Sequence, residues 1–394
     1  MKKILYSIIL GVEMRVREIL KKQNPSQSNI RFDNTTKCHI IYEEADKLAH
    51  PFVSFEGTII YLYSGTHWEK IEPQVLKVFL RECNQAIEQN RILGADYKDI
   101  DKLMKQFPCT VMGLDVQRVP GKLNFMNGTL DMSTMILGPH KYDDYFRTVQ
   151  PFDYDPNANC PLFMKFLGEV LPDKETQMVL SEYIAWTLQP DLKLEKVMVF
   201  YGSGRNGKSV MIDIIEALFG SQNVSHESLS DMCGENGANS RSNIVGKMLN
   251  TCADVSPKAI EGDIFKRMVS GEAISMKILY KDIVTTTDYP KMVFSLNELP
   301  KTKDTSGGYY RRFLIIPFKY IIPKKKVDPL LAKKIIGSEL PGIMNWVLEG
   351  WKRLVKQQAF TQSTIIDKAL EDYKRMTGGK KKSQYKLLLP PFYE

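Results

Sequence analysis

The chain has 394 residues, of which 43% are hydrophobic and 25% are charged. This composition excludes a wholly disordered protein and predicts about two or three folded domains. No run approaches the roughly 18 consecutive apolar residues of a membrane-spanning helix, so we expect a cytoplasmic protein without a membrane partner. The net charge of +8 favours a polyanionic partner.

The N-terminal residues resemble a secretory signal, because Lys2 and Lys3 precede the apolar residues 4–12. However, Glu13 and Arg15 follow at once, and there is no small-x-small cleavage site, so we interpret this segment as part of the folded protein. The six cysteines form no C-x-x-C pair and no histidine stands at ligand spacing, which favours reduced thiols over a zinc site.

Residues 1–110 are predicted to form a mixed α/β region whose role the sequence leaves open. The clearest amphipathic helix spans residues 73–92, where apolar residues recur at helical spacing. Residues 55–68 alternate apolar and polar side chains about Ser64-Gly65, a pattern typical of a β-hairpin.

Residues 111–190 are predicted to form a mainly helical region ahead of a nucleotide-binding domain. Asn127-Gly128 is a turn signal between two apolar runs. Residues 153–161 carry aspartate, asparagine and proline residues typical of a loop. Over residues 161–188 the apolar side chains recur at helical spacing, which predicts helices packed together.

Residues 202–209 form a complete phosphate-binding loop of the pattern G-x-x-x-x-G-K-S. Residues 196–201 before it are typical of a buried strand, and residues 210–219 after it have helical spacing. This order directs backbone N–H groups and the positive end of a helix at one point, where a phosphate can bind. The predicted nucleotide-binding residues are Gly202, Ser203, Gly204, Arg205, Asn206, Gly207, Lys208 and Ser209.

ATP and Mg²⁺ are therefore the expected cofactors. We predict that Lys208 contacts the terminal phosphates and that Ser209 ligates Mg²⁺. The alternative is a glycine-rich turn between strand and helix in which the Lys-Ser pair arose by chance.

Beyond residue 201, strand and helix patterns alternate to about residue 318, as in a sheet with helices on its faces. Residues 247–253 are typical of a buried strand, and Asp254 follows them. An acidic residue at the carboxyl end of a strand can bind Mg²⁺ and position the attacking water. No second acidic residue follows directly, so we predict that Asp254 performs both tasks or shares them with an acid such as Glu261 or Asp263.

Two later segments supply further candidates. The apolar strand 291–296 ends at Asn297, whose amide can sense the γ-phosphate or the attacking water. Arg311 and Arg312 follow a glycine pair, and a planar guanidinium there suits delivery to the γ-phosphate of a neighbouring subunit. A plain turn and a solvated arginine pair are the alternatives. The predicted catalytic residues are Lys208, Asp254, Asn297, Arg311 and Arg312, and the predicted metal ligands are Ser209 and Asp254.

Five segments, in this order and spacing, resemble the superfamily 3 helicase domain of phage and plasmid DNA primase-helicases and of the related poxvirus primase-helicase. They are GSGRNGKS, LNTCADVS, KRMVSGEAISMKILYKD, KMVFSLNELP and GGYYRRFLIIPF. Upstream, LNFMNGTLDMST and FDYDPNANCPLFMKFLGEVL resemble the helical region that precedes the helicase domain in that family. The resemblance covers about residues 110–350.

The resemblance implies an α/β fold with an AAA+-like P-loop NTPase core over residues 191–320. A mainly helical N-terminal region would precede this core, and a short helical region with a basic tail would occupy residues 321–394. The family forms rings, usually hexamers, that move along single-stranded DNA in the 3′ to 5′ direction as ATP is hydrolysed.

The resemblance also assigns roles to residues of this chain. Asn297 corresponds to the sensor, and Arg311 or Arg312 to the arginine finger that acts on a neighbouring subunit. Residues 266–281 correspond to a hairpin that faces the central channel. The resemblance therefore implies that Lys277 and Lys281 bind DNA phosphates, with Tyr280 stacking or packing nearby.

The sequence departs from the family in two respects. Residues 1–110 lack a convincing set of primase carboxylates, so we interpret the chain either as a compact helicase that works with a separate primase or polymerase, or as a truncated member of the family. Only about 40 residues follow Arg353, where family members often carry another DNA-binding module.

The expected function is ATP-dependent unwinding of forked duplex DNA during replication of a phage, virus, plasmid or integrated mobile element, in the host cytoplasm. The alternative is a non-translocating ATPase that recognises an origin or loads another replication protein. A small-molecule kinase would leave Asn297 and the arginine pair without a role.

Overall fold

The computed structural model describes residues 1–22, 32–55, 59–90, 92–111, 120–188, 192–253, 255–277 and 283–378. Contacts between residues divide the chain into two compact units, Met1–Val149 and Gln150–Glu394. Within the described ranges, none of the helices is both long enough and apolar enough to span a bilayer.

The described part of the first unit contains four α-helices and six short strands. The helices are α1 (Lys2–Lys21), α2 (Asn34–Lys47), α3 (Pro73–Glu88) and α4 (Tyr97–Thr110). The strands are β1 (Phe52–Phe55), β2 (Ile59–Tyr63), β3 (Trp68–Lys70), β4 (Lys122–Phe125), β5 (Gly128–Asp131) and β6 (Ile136–Gly138). They form two antiparallel sheets, β1-β2-β3 and β4-β5-β6.

The first unit confirms both predicted turns. Tyr63 pairs with Trp68 across the hairpin of β2 and β3, and Phe125 pairs with Gly128 across the hairpin of β4 and β5. Helix α3 ends before the predicted residue 92, because Gln89 has a φ of +50° and this left-handed conformation terminates the helix. The four helices and the strands β1 and β2 contribute to one apolar core.

The described part of the second unit contains eleven α-helices and seven strands. The helices are α5 (Pro161–Val170), α6 (Lys174–Leu188), α7 (Lys208–Phe219), α8 (Leu229–Cys233), α9 (Gly237–Ser242), α10 (Pro257–Glu261), α11 (Asp263–Ser270), α12 (Gly307–Tyr310), α13 (Leu331–Ser338), α14 (Leu340–Gln357) and α15 (Thr364–Thr377). The strands are β7 (Val197–Tyr201), β8 (Val224–Ser225), β9 (Leu249–Cys252), β10 (Ile274–Lys277), β11 (Ile283–Thr286), β12 (Lys291–Leu296) and β13 (Phe313–Pro317).

The centre of the second unit is a parallel five-stranded sheet with the order β13-β7-β12-β9-β8. All five residues of β13 are buried, as are the first four of β7. Continuous apolar strands of this kind are typical of a parallel sheet that is covered by helices on both faces. The carboxyl ends of the strands consequently meet at one edge, and their amino ends meet at the other.

The range 111–190 differs from the helical prediction, since it also contains the sheet β4-β5-β6. The helical signal came from residues 161–188, which form α5 and α6, whereas the hairpin was visible only as the turn signal at Asn127-Gly128. The boundary between the two units also lies in this range, between Val149 and Gln150.

Candidate nucleotide-binding site

The phosphate-binding loop joins the carboxyl end of β7 to the first residue of α7. Three residues of this turn have a positive φ: Gly204 at +99°, Arg205 at +49° and Gly207 at +85°. Glycine adopts this backbone conformation without a steric penalty. The glycines at 204 and 207 therefore allow the sharp change of direction that points the N-terminus of α7 back over the sheet edge.

Two glycines of the loop are also required because their neighbours are close. A β-carbon on Gly202 would lie 2.5 Å from the carbonyl oxygen of Phe318. A β-carbon on Gly207 would lie 2.9 Å from the ring of Phe166 in α5. Contacts this short would force the packed structure to shift. The loop thus presents bare backbone at Gly202 and Gly207, and accessible backbone is what direct hydrogen bonding from N–H groups to phosphate requires.

Lys208 lies at the centre of this site. Its ammonium group donates to the carbonyl oxygen of Gly202, and to the Oδ1 atoms of Asn206 and Asn297, each at 3.3 Å. The residue is only 6% exposed, and burial lowers the pKa of Lys208. Three oxygen atoms therefore surround the ammonium group in a partly desolvated position, where phosphate oxygens would be strong competing acceptors.

Asn206 fixes the loop to the segment that follows β13. Its Nδ2 donates to the carbonyl oxygen of Phe318 at 3.0 Å, while its Oδ1 accepts from Lys208. Farther along the same segment, the backbone N–H of Ile322 donates to the carbonyl oxygen of Arg205 at 2.8 Å. The sequence predicted Asn206 only as a member of the loop, because its partner is a backbone carbonyl 112 residues away.

Asn297 reaches Lys208 because β7 and β12 are neighbours. Leu296 pairs with Tyr201, and the backbone N–H of Gly202 donates to the carbonyl oxygen of Leu296 at 3.1 Å. The residues that follow the two strands are therefore adjacent, and the structure brings together the predicted sensor and the predicted phosphate-binding lysine. Asn297 is exposed.

The predicted acidic and metal-binding residues are only partly described. Asp254 lies outside the described residues. The strand that precedes it, β9, pairs in parallel with β12, so β9 and β12 end at the same edge of the sheet. Ser209 is exposed in the first turn of α7. Glu261 accepts the backbone N–H of Lys303, and this hydrogen bond lowers the pKa of Glu261. Glu261 therefore anchors the loop after β12, a role that the sequence did not predict.

A second hydrogen-bonded group was also missed by sequence reasoning. The hydroxyl of Thr251 in β9 donates to Oε1 of Glu216 in α7 at 2.5 Å. It lies 2.9 Å from Nδ1 of His226. These three residues belong to no recognised motif, so their proximity depends on the packing of α7 against the sheet.

The predicted arginine fingers lie at the opposite edge of the sheet from Lys208. Phe313 pairs with Val197 at the amino ends of β13 and β7, so Arg311 and Arg312 precede the strand. Arg311 is exposed and forms a 2.7 Å ion pair with Glu195.

Arg312 is turned inward. It donates to the carbonyl oxygen of Gly308 and, at 3.2 Å, to the hydroxyl of Ser270. Because β13 has five residues at roughly 3.3 Å each, about 15 Å of strand separates this edge from the phosphate-binding loop. The two arginines therefore do not belong to the site of their own chain.

Lys277 is the last residue of β10, in an antiparallel hairpin with β11. It is exposed and pairs with Ile283, whereas Lys281 and Tyr280 lie outside the described residues. The buried Arg241 holds the hairpin, donating from Nε to the carbonyl oxygen of Ser275 at 2.6 Å. The structure thus contains a hairpin where the resemblance implies one, with Lys277 at its described end.

Comparison with known proteins matches two family models to the chain. The model described as D5 N terminal like matches residues 37–172. DUF5906, described as a family of unknown function, matches residues 200–312. The second match therefore begins just before the phosphate-binding loop and ends at the arginine pair.

A candidate helicase of Acanthamoeba polyphaga mimivirus is 24% identical to the chain over 262 residues. The aligned part is 64% of this chain but 25% of the mimivirus protein.

Among solved structures, one apo form of the C-terminal region of NrS-1 has a TM-score of 0.55 at 12% identity, covering 87% of this chain and 75% of that one. Another apo structure of the same region has a TM-score of 0.52 at 13% identity, covering 85% and 76%. At these identities the likeness concerns the fold.

Proposed function

We propose that the chain is an ATP-dependent DNA helicase of the primase-helicase family that works as a ring in the replication of a virus, phage, plasmid or integrated mobile element. One observation carries the proposal. Residues with complementary roles in phosphoryl transfer lie at opposite edges of one parallel sheet, so a complete site requires two copies of the chain.

The carboxyl edge supports nucleotide binding. The bare loop at Gly202 and Gly207 leaves space for phosphate, and the Lys208 ammonium is already surrounded by oxygen acceptors. Phosphate oxygens would replace those weaker neutral acceptors and compensate the buried charge. Asn297, in contact with Lys208, is then within reach of the γ-phosphate.

Mg²⁺ fits the same edge because Ser209 presents a hydroxyl in the first turn of α7 and Asp254 follows β9. When bound, the ion would neutralise phosphate charge and help to orient the phosphates. Within our proposal Ser209 and Asp254 hold it, and Asp254 also positions the attacking water.

The amino edge supplies the arginine for the neighbouring subunit. Of the pair, Arg311 is the better candidate, because its side chain is 63% exposed and, within the described part of the chain, it pairs with Glu195 alone. An exposed ion pair contributes only about 0.2–1 kcal/mol, so a triphosphate can displace it at small cost. Arg312 instead supports the turn through Gly308 and Ser270.

DNA binding is assigned to the β10–β11 hairpin, where Lys277 is exposed and Arg241 holds the base in place. The net charge of +8 is in keeping with a polyanionic substrate. In the proposed ring, hydrolysis between subunits moves these hairpins along one strand, 3′ to 5′.

The test is strand displacement on a forked duplex with a 3′ single-stranded tail, with ATP and Mg²⁺. We expect the native chain to unwind it and Lys208→Ala to be inactive, because the variant loses the charge that contacts the terminal phosphates. Lys333→Ala, which removes an exposed lysine of α13, should unwind normally. ATP turnover and DNA binding without strand separation would favour the non-translocating ATPase instead.

A further inference from the structure

The segment that leaves the sensor continues directly to the arginine pair. After Asn297 it runs through Pro300 to α12, and Arg311 follows that helix. Both ends of this segment contact α15, through the side chain of Tyr373. A residue of the C-terminal helix thus touches the two parts of the molecule that our proposal assigns to successive active sites in the ring.

The hydrogen bonds at Tyr373 have a defined direction. Its hydroxyl lies 2.8 Å from the carbonyl oxygen of Pro300 and 2.9 Å from the hydroxyl of Tyr309. A carbonyl can only accept and each phenol has one hydrogen, so Tyr373 donates to Pro300 and accepts from Tyr309. The result is an ordered chain from α12 through α15 to the loop behind the sensor.

This chain is buried and closely packed. Tyr309 is fully buried and Tyr373 is 1% exposed. The Tyr373 ring packs edge-on against Tyr310 and Phe313, with centroid distances of 5.7 and 6.0 Å. Burial raises the pKa of Tyr373 to about 12, so its hydroxyl stays protonated as a donor at neutral pH.

A second contact fixes α12 to the same turn of α15. The hydroxyl of Tyr310 is hydrogen-bonded to that of Thr377, which in turn donates to the carbonyl oxygen of Tyr373 at 2.9 Å. Since Arg311 directly follows Tyr310, the position of its backbone is set by α15. In contrast, its side chain is 63% exposed and, among the described residues, is held by the ion pair with Glu195.

We propose that Tyr373 is a positioning residue that couples the nucleotide state sensed by Asn297 to the placement of Arg311 toward the neighbouring subunit. This inference rests on the proposed ring helicase. A shift of Asn297 when the γ-phosphate leaves moves residues 298–300, and the carbonyl of Pro300 carries that shift to the hydroxyls of Tyr373 and Tyr309. Because the surroundings are close-packed, the shift passes to α12 rather than being absorbed locally.

Tyr373→Phe tests the proposal, since it keeps the ring and removes only the hydroxyl. We expect unchanged ATP affinity and a kcat for ATP hydrolysis lower by about tenfold or more, because the variant loses the hydrogen bonds of Tyr373 to Pro300 and Tyr309 that support the finger. Tyr309→Phe should have the same effect. The double variant should be no worse than either single one, because both break one chain. Native kcat in Tyr373→Phe would overturn the proposal.

Mixed rings separate a misplaced finger from a damaged site. Lys208→Ala subunits keep an intact finger but an inactive site, whereas Tyr373→Phe subunits keep an intact site. Mixing the two should raise the ATPase rate above the sum of the separate proteins. If the defect of Tyr373→Phe lay in its own site, mixing would restore nothing and the coupling proposal would be wrong.

Two controls complete the experiment. A mixture of Lys208→Ala with Arg311→Ala tests the ring mechanism itself. If this mixture does not recover ATPase activity, both proposals are overturned. If it recovers activity but the mixture of Lys208→Ala with Tyr373→Phe does not, the coupling proposal alone is overturned. Tyr183→Phe removes an equally buried hydroxyl that donates to Met292 at 2.6 Å, away from α12. It should leave kcat unchanged, and an equal loss there would show that the effect is not specific to Tyr373.

Discussion

The two edges of the central sheet differ in how completely each is assembled within one chain. At the carboxyl edge, Lys208 is 6% exposed and bonded to oxygens of three residues. At the amino edge, the Arg311 side chain is 63% exposed and forms one ion pair with the residues that the structure describes, to Glu195. The first edge is therefore preorganised to receive a ligand. The exposed arginine at the second edge can instead reach a ligand bound to another subunit.

This difference has an energetic basis. Removing a buried, bonded lysine from its acceptors is costly unless a better acceptor replaces them, so Lys208 is held in place for the phosphate that we propose binds there. Releasing Arg311 from Glu195 costs little, because the Arg311 side chain is 63% exposed and water screens the pair from that side. In the proposed function, the carboxyl edge would therefore define where the nucleotide binds, and the amino edge could change with the state of the ring.

Among these substitutions, that of Arg311 should produce the largest loss of ATPase activity. Arg311→Ala should lower kcat for ATP hydrolysis by about 10³–10⁵-fold while nucleotide affinity is retained, because the lost charge acts only in the transition state of a neighbouring site. Steady-state ATPase assays and nucleotide binding by fluorescence would measure the two quantities separately.

Arg312→Ala is the matched control. It removes the same charge one residue later but from a side chain that supports the turn, so we expect a smaller loss of kcat together with a lower unfolding temperature. A large loss of kcat in Arg312→Ala with none in Arg311→Ala would exchange the two roles.

The same contrast explains which features the sequence could predict. Lys208 and Asn297 each follow an apolar strand, and neighbouring parallel strands end at one edge, so their proximity could be inferred from pattern alone. The pairing of Asn206 with Phe318 could not, because one partner is a backbone carbonyl that has no signature in the sequence.

Features that depend on the packing of distant helices were also beyond prediction. Tyr373 lies in a C-terminal helix whose apolar spacing indicates only that one face is buried. Nothing in that spacing identifies Tyr309 and Pro300, 64 and 73 residues away, as its partners. The resemblance assigned the finger role to either Arg311 or Arg312, and the different burial of their side chains in the structure distinguishes the two.

At the carboxyl edge, Gly202→Ala should give a smaller effect that tests preorganisation. The new methyl group would lie 2.5 Å from the Phe318 carbonyl oxygen, and such overpacking typically costs about 1–3 kcal/mol. We expect a lower unfolding midpoint in urea and an ATP affinity weaker by about tenfold or more, because the loop can relieve the clash only by moving.

Gly168→Ala is the control for Gly202→Ala. Gly168 lies inside α5, and a β-carbon there would have no atom within 4 Å. Alanine is favoured over glycine in a helix by up to about 1 kcal/mol, so this variant should be as stable as the native chain or more so. If both variants bind ATP normally, the close approach at Gly202 is not required for nucleotide binding.

The smallest predicted effect concerns the loop that joins the two edges. Hydrogen bonds from Ser306 and the 3.0 Å ion pair with Lys266 lower the pKa of Asp304 to about 2. A carboxylate whose pKa is lower in the folded state stabilises the fold above its unfolded pKa, and this contribution is lost as the pH falls through the folded value. Asp304→Asn should therefore be less stable than the native chain at pH 6, by about 1–2 kcal/mol.

That difference should shrink as the pH is lowered from about 4 to about 2, because the native Asp304 is then protonated as well. Urea unfolding of both proteins across this range would measure it. Since the loop leads from Asn297 to α12, Asp304→Asn should also lower kcat at pH 7 without affecting ATP affinity. A stability difference that stayed constant with pH would mean that Asp304 acts by packing rather than by charge.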